Sequence, residues 1–261
     1  TIMLFGIDSF ATHMVGGQIT YSHVSGNVYQ IRLSIYRDCH GIRLGSSQTV
    51  QISPGAPQSS ATLSRVAVND VSLLCPGQTS ECSGGNADGV EEHVYQGNVT
   101  INNTGVFNIS YQRCCRNNSI TTFNNPGNES LYLSTQINTQ LAPGNSSPQF
   151  LNLPIDQFCI GTPNSISPNG FDADGDVLQY SLVNARGSNG NSVSYAPGFS
   201  GTNPLSSAGG VSINPNTGVI SFTPNAATTE VAVIAFKVEE YRVIGGTSTK
   251  IGEVFRELQV K

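Results

Sequence analysis

Tryptophan is absent from the 261 residues, lysine occurs only at Lys237, Lys250 and Lys261, and charged residues make up 11%. About a quarter would be usual for a soluble protein, so Ser, Thr, Asn, Gln and Gly must build most of the surface. With a formal net charge of −5 and no basic stripe, the chain lacks the clustered cations that nucleic-acid phosphates require. No nucleic-acid partner is expected. No apolar run approaches the ~18–20 residues of a membrane-spanning helix, and none is expected. Runs of Ala, Leu, Glu and Lys that favour long helices are missing too.

What is present favours strands. Gly 28 and Pro 13 supply turns between short alternating segments. In "NVYQIRLSIYRD" (27–38), Tyr29, Ile31, Leu33 and Ile35 alternate with polar neighbours, a period of two that buries one face. Similar stretches occur at 17–24, 48–53, 61–68, 91–101, 105–115 and 130–138. "INNTG" (101–105) reads as a hairpin turn. The pattern lapses in "LAPGNSSPQF" (141–150). A second set follows at 177–183, 211–214, 218–224, 230–243 and 250–260, with "NPNTG" (214–218) as a tight turn. The expected class is all-β, two tandem β-sandwiches over 13–144 and 145–261, preceded by an apolar segment at 1–12.

Cysteine forms an even set, Cys39, Cys75, Cys82, Cys114, Cys115 and Cys159, without C-x-x-C spacing. A zinc site drawing on Cys75, Cys82 and His93 lacks the usual ligand spacing. Disulfides and secretion to the cell surface are the expectation. Cys75 and Cys82 suit a local clip. Cys114 and Cys115, adjacent on a strand, face opposite ways and call for separate partners, for which Cys39 and Cys159 remain.

"FDADGDVLQYSL" (171–182) carries Asp172, Asp174 and Asp176 at alternate positions around Gly175. Carboxylates so crowded need a positive partner or full solvation. Calcium takes six to eight oxygens, and carboxylates converging from a turn suit it. The register excludes an EF-hand, because Val183 stands where the twelfth-position Glu belongs. The alternative is a solvated acidic turn without metal.

"DADGDVLQYSL" followed by "INPNTGVISFTP" resembles cadherin-like and dystroglycan-type Ig-like modules of bacterial surface proteins. "NSSPQF" (145–150) resembles the N-x-x-P-x-F connection before a cadherin repeat. "HMVGGQITY", "YQIRLSIYRDC" and "YQRCCRN" (13–21, 29–39, 111–117) look like amino-terminal modules of large Bacteroidota surface proteins associated with gliding motility and type IX secretion. The "EYR…GEVFRELQV" ending (240–260) fits the same group. The cadherin-like resemblance implies Asn145 and Glu240 as further calcium ligands and a structural role for the metal.

No convergent acid, base and nucleophile emerges; His13, His23, His40 and His93 are scattered, and no catalytic residue or enzyme activity is expected. The expected function is a non-enzymatic module or subunit of a surface adhesin or filament, stiffened by calcium and disulfides, with copies of itself or other surface modules as partners. The alternative is a glycan-binding adhesin using Tyr21, Tyr29, Tyr36, Tyr95 and Tyr111. In "TIMLFGIDSFATH" (1–13), Ser9-Phe10-Ala11 resembles a signal-peptide cleavage site. As a strand, Met3, Phe5 and Ile7 would share one face and Ile2 and Leu4 the other, suiting insertion into a neighbouring subunit or the chain's own first domain.

Overall fold

The computed structural model describes residues 14–54, 58–152 and 155–261. Ile2, Met3, Leu4, Phe5 and Ile7, the expected assembly residues, lie outside them, as does His13. The architecture is all-β, with three short 3-10 turns and no α-helix among the described residues. The first strands are β1 (Met14–Ser25), β2 (Val28–Asp38), β3 (Ser47–Ser53), β4 (Ser60–Asp70), β5 (Val90–Thr100), β6 (Val106–Cys114) and β7 (Ser130–Asn138). Four short strands follow, β8 (Gln149–Phe150), β9 (Ile155–Asp156), β10 (Asn164–Ile166) and β11 (Gly170–Phe171). The last are β12 (Val177–Leu182), β13 (Ser212–Ile213), β14 (Ile220–Phe222), β15 (Ala232–Ile244) and β16 (Thr247–Val260).

The main sheet is 11-stranded, ordered β1-β2-β5-β4-β3-β6-β7-β16-β15-β12, with β9 on β16. It closes on itself because β16 changes partner along one edge. Glu253–Phe255 pair with Gln136–Ser134 of β7, then Arg256–Leu258 pair with Gln18–Gly16 of β1. Gly16, at φ 151°, permits this approach, since a Cβ there would strike the carbonyl of Glu257. Hydrogen bonding therefore continues across the break near residue 145, and the last strand serves both halves.

Burial follows the alternation. Tyr29, Ile31, Leu33 and Ile35 are all buried in a core drawn from residues between Met14 and Ile137. A second core runs from Ile166 to Val260, and a third joins Ile120 and Phe123 to Ala185, Val193 and Phe255.

Three expectations are corrected. The 101–105 turn closes no hairpin, because β5 pairs with β2 and β4 whereas β6 pairs with β3 and β7. Two strands adjacent in sequence have been drawn to different neighbours. The cysteines also pair differently. Cys39 bonds Cys82 with Cα atoms 5.3 Å apart, Cys114 bonds Cys115 across a cis peptide, and Cys75 and Cys159 are free and exposed. The opposed directions expected for Cys114 and Cys115 hold only on a regular strand, and β6 ends at Cys114. Finally, Tyr21, Tyr29, Tyr36, Tyr95 and Tyr111 are all buried, so none offers a face on which a sugar could stack.

Candidate functional site

The aspartate loop lies between β11 and β12. Asp172 Oδ1 accepts the backbone N–H groups of Asp174 (2.9 Å) and Asp176 (3.0 Å), and Gly175 takes φ 83°. This Asx-type turn is a local consequence of Asp and Gly chemistry. Beyond it β12 pairs with β15, setting Leu178 opposite Glu240 and Val177 opposite Tyr241. Glu240 and the loop thereby meet.

Asp172, Asp176 and Glu240 each present a carboxylate oxygen, and these atoms lie within 4.8 Å of one another. Glu240 is 0% exposed. Its Oε1 accepts from Asn145 Nδ2 at 2.6 Å, while Oε2 is buried without a partner. Asp172 Oδ2 is likewise buried and unpartnered. Gly252 stands across from Glu240, and a Cβ there would collide with Oε2. Burial, reinforced by Asp172 and Asp176, pushes the Glu240 carboxyl up to about 9 against the Asn145 hydrogen bond. Burial also raises Asp172, opposed by the two backbone N–H groups.

The other expected ligands are engaged elsewhere. Asp174 Oδ2 accepts the backbone N–H of Ser146 at 2.7 Å, fastening the aspartate loop to the 145–150 connection. Asn145 Oδ1 accepts from Arg242 at 2.7 Å, so its oxygen is already used. Arg242 also grips Asp176 through Nε (2.7 Å) and a terminal nitrogen (2.5 Å). The aspartate hydrogen bond raises the guanidinium pKa further.

Arg242 was missed in the sequence. Its signal was there, since "EYR" places it two residues beyond Glu240 and hence on the same side of the strand. Tyr21 was missed as part of this junction. Its hydroxyl receives Asn145 Nδ2 at 3.4 Å, and its backbone exchanges hydrogen bonds with Ser147, N–H to Oγ at 2.8 Å and carbonyl from N–H at 3.0 Å. Strand β1, the connection, the aspartate loop and β15 thus converge on one buried polar cluster.

The histidines have modest surroundings. His23 Nε2 meets the Gly26 carbonyl at 2.9 Å, His40 lies against Asp38 and Glu81, and His93 against Glu91. Cys39, beside His40, is held in its disulfide. No protein-family model, curated protein or solved structure matches the chain.

Proposed function

We propose that the chain is a non-enzymatic, extracellular structural protein, a module or subunit of a bacterial surface adhesin or filament, stiffened at its centre by calcium. The observation that carries this reading is the pair of buried carboxyl oxygens, Asp172 Oδ2 and Glu240 Oε2. They meet no donor from the rest of the chain and have only a proton to share between them. Three carboxylates share the site with one guanidinium. A hard divalent cation would satisfy both oxygens and relieve the remaining repulsion. Asp172 and Glu240 fit such an ion, with Asp176 beside them. Asp174, which accepts the Ser146 N–H through Oδ2, lies outside this three-carboxylate group, and Asn145 Oδ1 already accepts from Arg242.

Ligands of this kind serve geometry, and the elements they join support a stiffening role. One core lies within 14–137 and another within 166–260. These two cores support two tandem sandwich units of Ig-like or cadherin-like type, with the cation beside their connection. The third core, from Ile120 to Phe255, and β16 tie the units together. The resemblance of the first half to Bacteroidota surface modules, and the disulfides, support an exported location.

Thermal unfolding in calcium and in chelator tests the metal. Calcium at 100 times its dissociation constant adds about 2.7 kcal/mol, or roughly 5–10 °C for a chain of this size. Coincident melts would overturn calcium binding. Electron microscopy of native material tests the assembly, where filaments support a subunit role and dispersed monomers oppose it.

A further inference from the structure

The inward-facing rows of two strands change character at one end of the closed sheet. On β2 the row Ile31, Leu33, Ile35 continues into Arg37, and on β5 the row of Tyr95 continues into His93 and Glu91. Cross-strand pairs keep these residues together, Ile35 opposite His93 and Arg37 opposite Glu91, with Val68 of β4 beside His93. The Cys39–Cys82 disulfide ties the segment after β2 to the 3-10 turn Glu81–Ser83 over this mouth. Between them lies a cavity of about 370 Å³ whose lining includes Arg37, Arg43, Arg65, Val68, Glu91 and His93. That volume lies within the range of small-ligand pockets, about 300–1,000 Å³.

We propose that this mouth binds an acidic sugar, a hydroxylated ring bearing a carboxylate. The lining sets three guanidiniums, Arg37, Arg43 and Arg65, against two carboxylates, Glu81 and Glu91, and this excess of positive charge favours an anion. Arg37 pairs with Glu91 at 2.6 Å, and Glu81, also in the lining, pairs with His40 at 2.7 Å. Arg43 and Arg65 remain without an ion pair among the described residues; Arg65 donates to the Leu44 carbonyl at 3.2 Å. Deeper in, Arg37 Nε is buried with no acceptor, on a residue only 3% exposed. The terminal nitrogens of Arg37 are taken by Glu91 and by the Cys39 and Gly41 carbonyls. Its Nε is therefore the one donor it can offer an anion, with Arg43 and Arg65 supplying the further charge.

The second buried group sets the rest of the ligand. His93, also 3% exposed, meets Glu91 Oε2 through Nε2 at 2.9 Å. The carboxylate takes the Nε2–H, so Nδ1 carries a lone pair, and it has no donor. Burial lowers the His93 pKa and keeps that nitrogen unprotonated near neutrality. A hydroxyl would satisfy it. Inorganic sulfate and a simple carboxylate offer none, whereas a sugar acid offers both groups on one ring. The half-exposed Val68 supplies an apolar wall for the ring's C–H face.

Isothermal titration of the intact chain with tri-galacturonic acid, at neutral pH and low salt, tests the site. Galactotriose, sodium acetate and tetra-aspartate serve as comparison ligands. The acidic trisaccharide should bind at least about tenfold more tightly than each of the others, a difference of about 1.4 kcal/mol. Arg43→Glu and, separately, Val68→Asp alter exposed positions and should each abolish binding while the melting temperature stays unchanged. Equal binding of galactotriose, of acetate or of tetra-aspartate would overturn the proposal. So would silence of the acidic trisaccharide, or undiminished binding by both folded variants.

Discussion

Arg116, in the segment after β6, forms a two-pronged ion pair with Glu257 of β16, and each side chain is only 1% exposed. The guanidinium also donates to the carbonyls of Ser130 (3.0 Å) and Arg186 (2.8 Å). One cation therefore joins β7, the last strand and the segment following β12. Burial raises the Glu257 pKa and Arg116 opposes that rise, so the carboxylate depends on its partner. Arg116→Met should destabilise by about 3–5 kcal/mol, because it strands a buried charge. Arg116→Met with Glu257→Leu should recover much of that loss. Urea unfolding of the single and double variants measures both.

At the acidic junction, burial holds the Glu240 carboxyl protonated near neutrality and hydrogen-bonded to Asp172. Glu240→Gln keeps a donor there without the cost of taking up a proton on folding. In chelator at neutral pH this variant should be more stable than the parent, because the parent must protonate a buried carboxyl in order to fold. In calcium it should show no further gain. Melting curves in the two conditions should therefore reverse the order of variant and parent.

Gly252 makes room for the Glu240 carboxylate. Alanine ordinarily suits a strand better than glycine, yet Gly252→Ala should cost about 1–3 kcal/mol by overpacking. Glu240→Ala removes the obstructing oxygen, so adding it should shrink the penalty. Chemical denaturation of the four-member cycle checks the coupling.

The Cys39–Cys82 bond closes a separation of 43 residues. A loop of that length corresponds to about 4 kcal/mol of restricted unfolded-state entropy. Substituting both cysteines with serine should lower stability by up to that amount. Alkylation without reductant, followed by peptide mapping, should label Cys75 and Cys159 while Cys39, Cys82, Cys114 and Cys115 stay protected.

Asp70 accepts hydrogen bonds from the hydroxyls of Ser72, Ser80 and Ser83. Those bonds depress its pKa well below the ordinary carboxylate range. A depressed folded-state pKa favours the native chain above the unfolded value, about 3.9. The contribution fades as pH falls below that value toward the folded one. Asp70→Asn should therefore flatten the loss of melting temperature between about pH 4 and pH 2. Melting profiles across that interval would show it, and parallel profiles would contradict the assignment.

The residues themselves announced the β class and most strand positions. Tyr29, Ile31, Leu33 and Ile35 alternate because the pleat alternates, and "NPNTG" turns between β13 and β14 through hydrogen bonds from the Asn216 and Thr217 N–H groups to Asn214 Oδ1. The fold of the aspartate loop was legible for the same reason, since its hydrogen bonds join residues two and four apart. Strand neighbours were not. "INNTG" looks like a hairpin turn whether or not the strands it joins pair, and only competition among all edges sent β5 and β6 apart. Alternating tyrosines have two faces to choose from, and the closed sheet assigned these five to the interior. The cysteine partners followed from where β2 and β6 end and which loops fold back on them. At the acidic cluster, sequence supplied the carboxylates, and pairing of β12 with β15 added the resident cation, Arg242, that neutralises Asp176. Short-range hydrogen bonds and side-chain period are properties of a segment. Which segments meet depends on burying every face at once, and that was settled only by the complete chain.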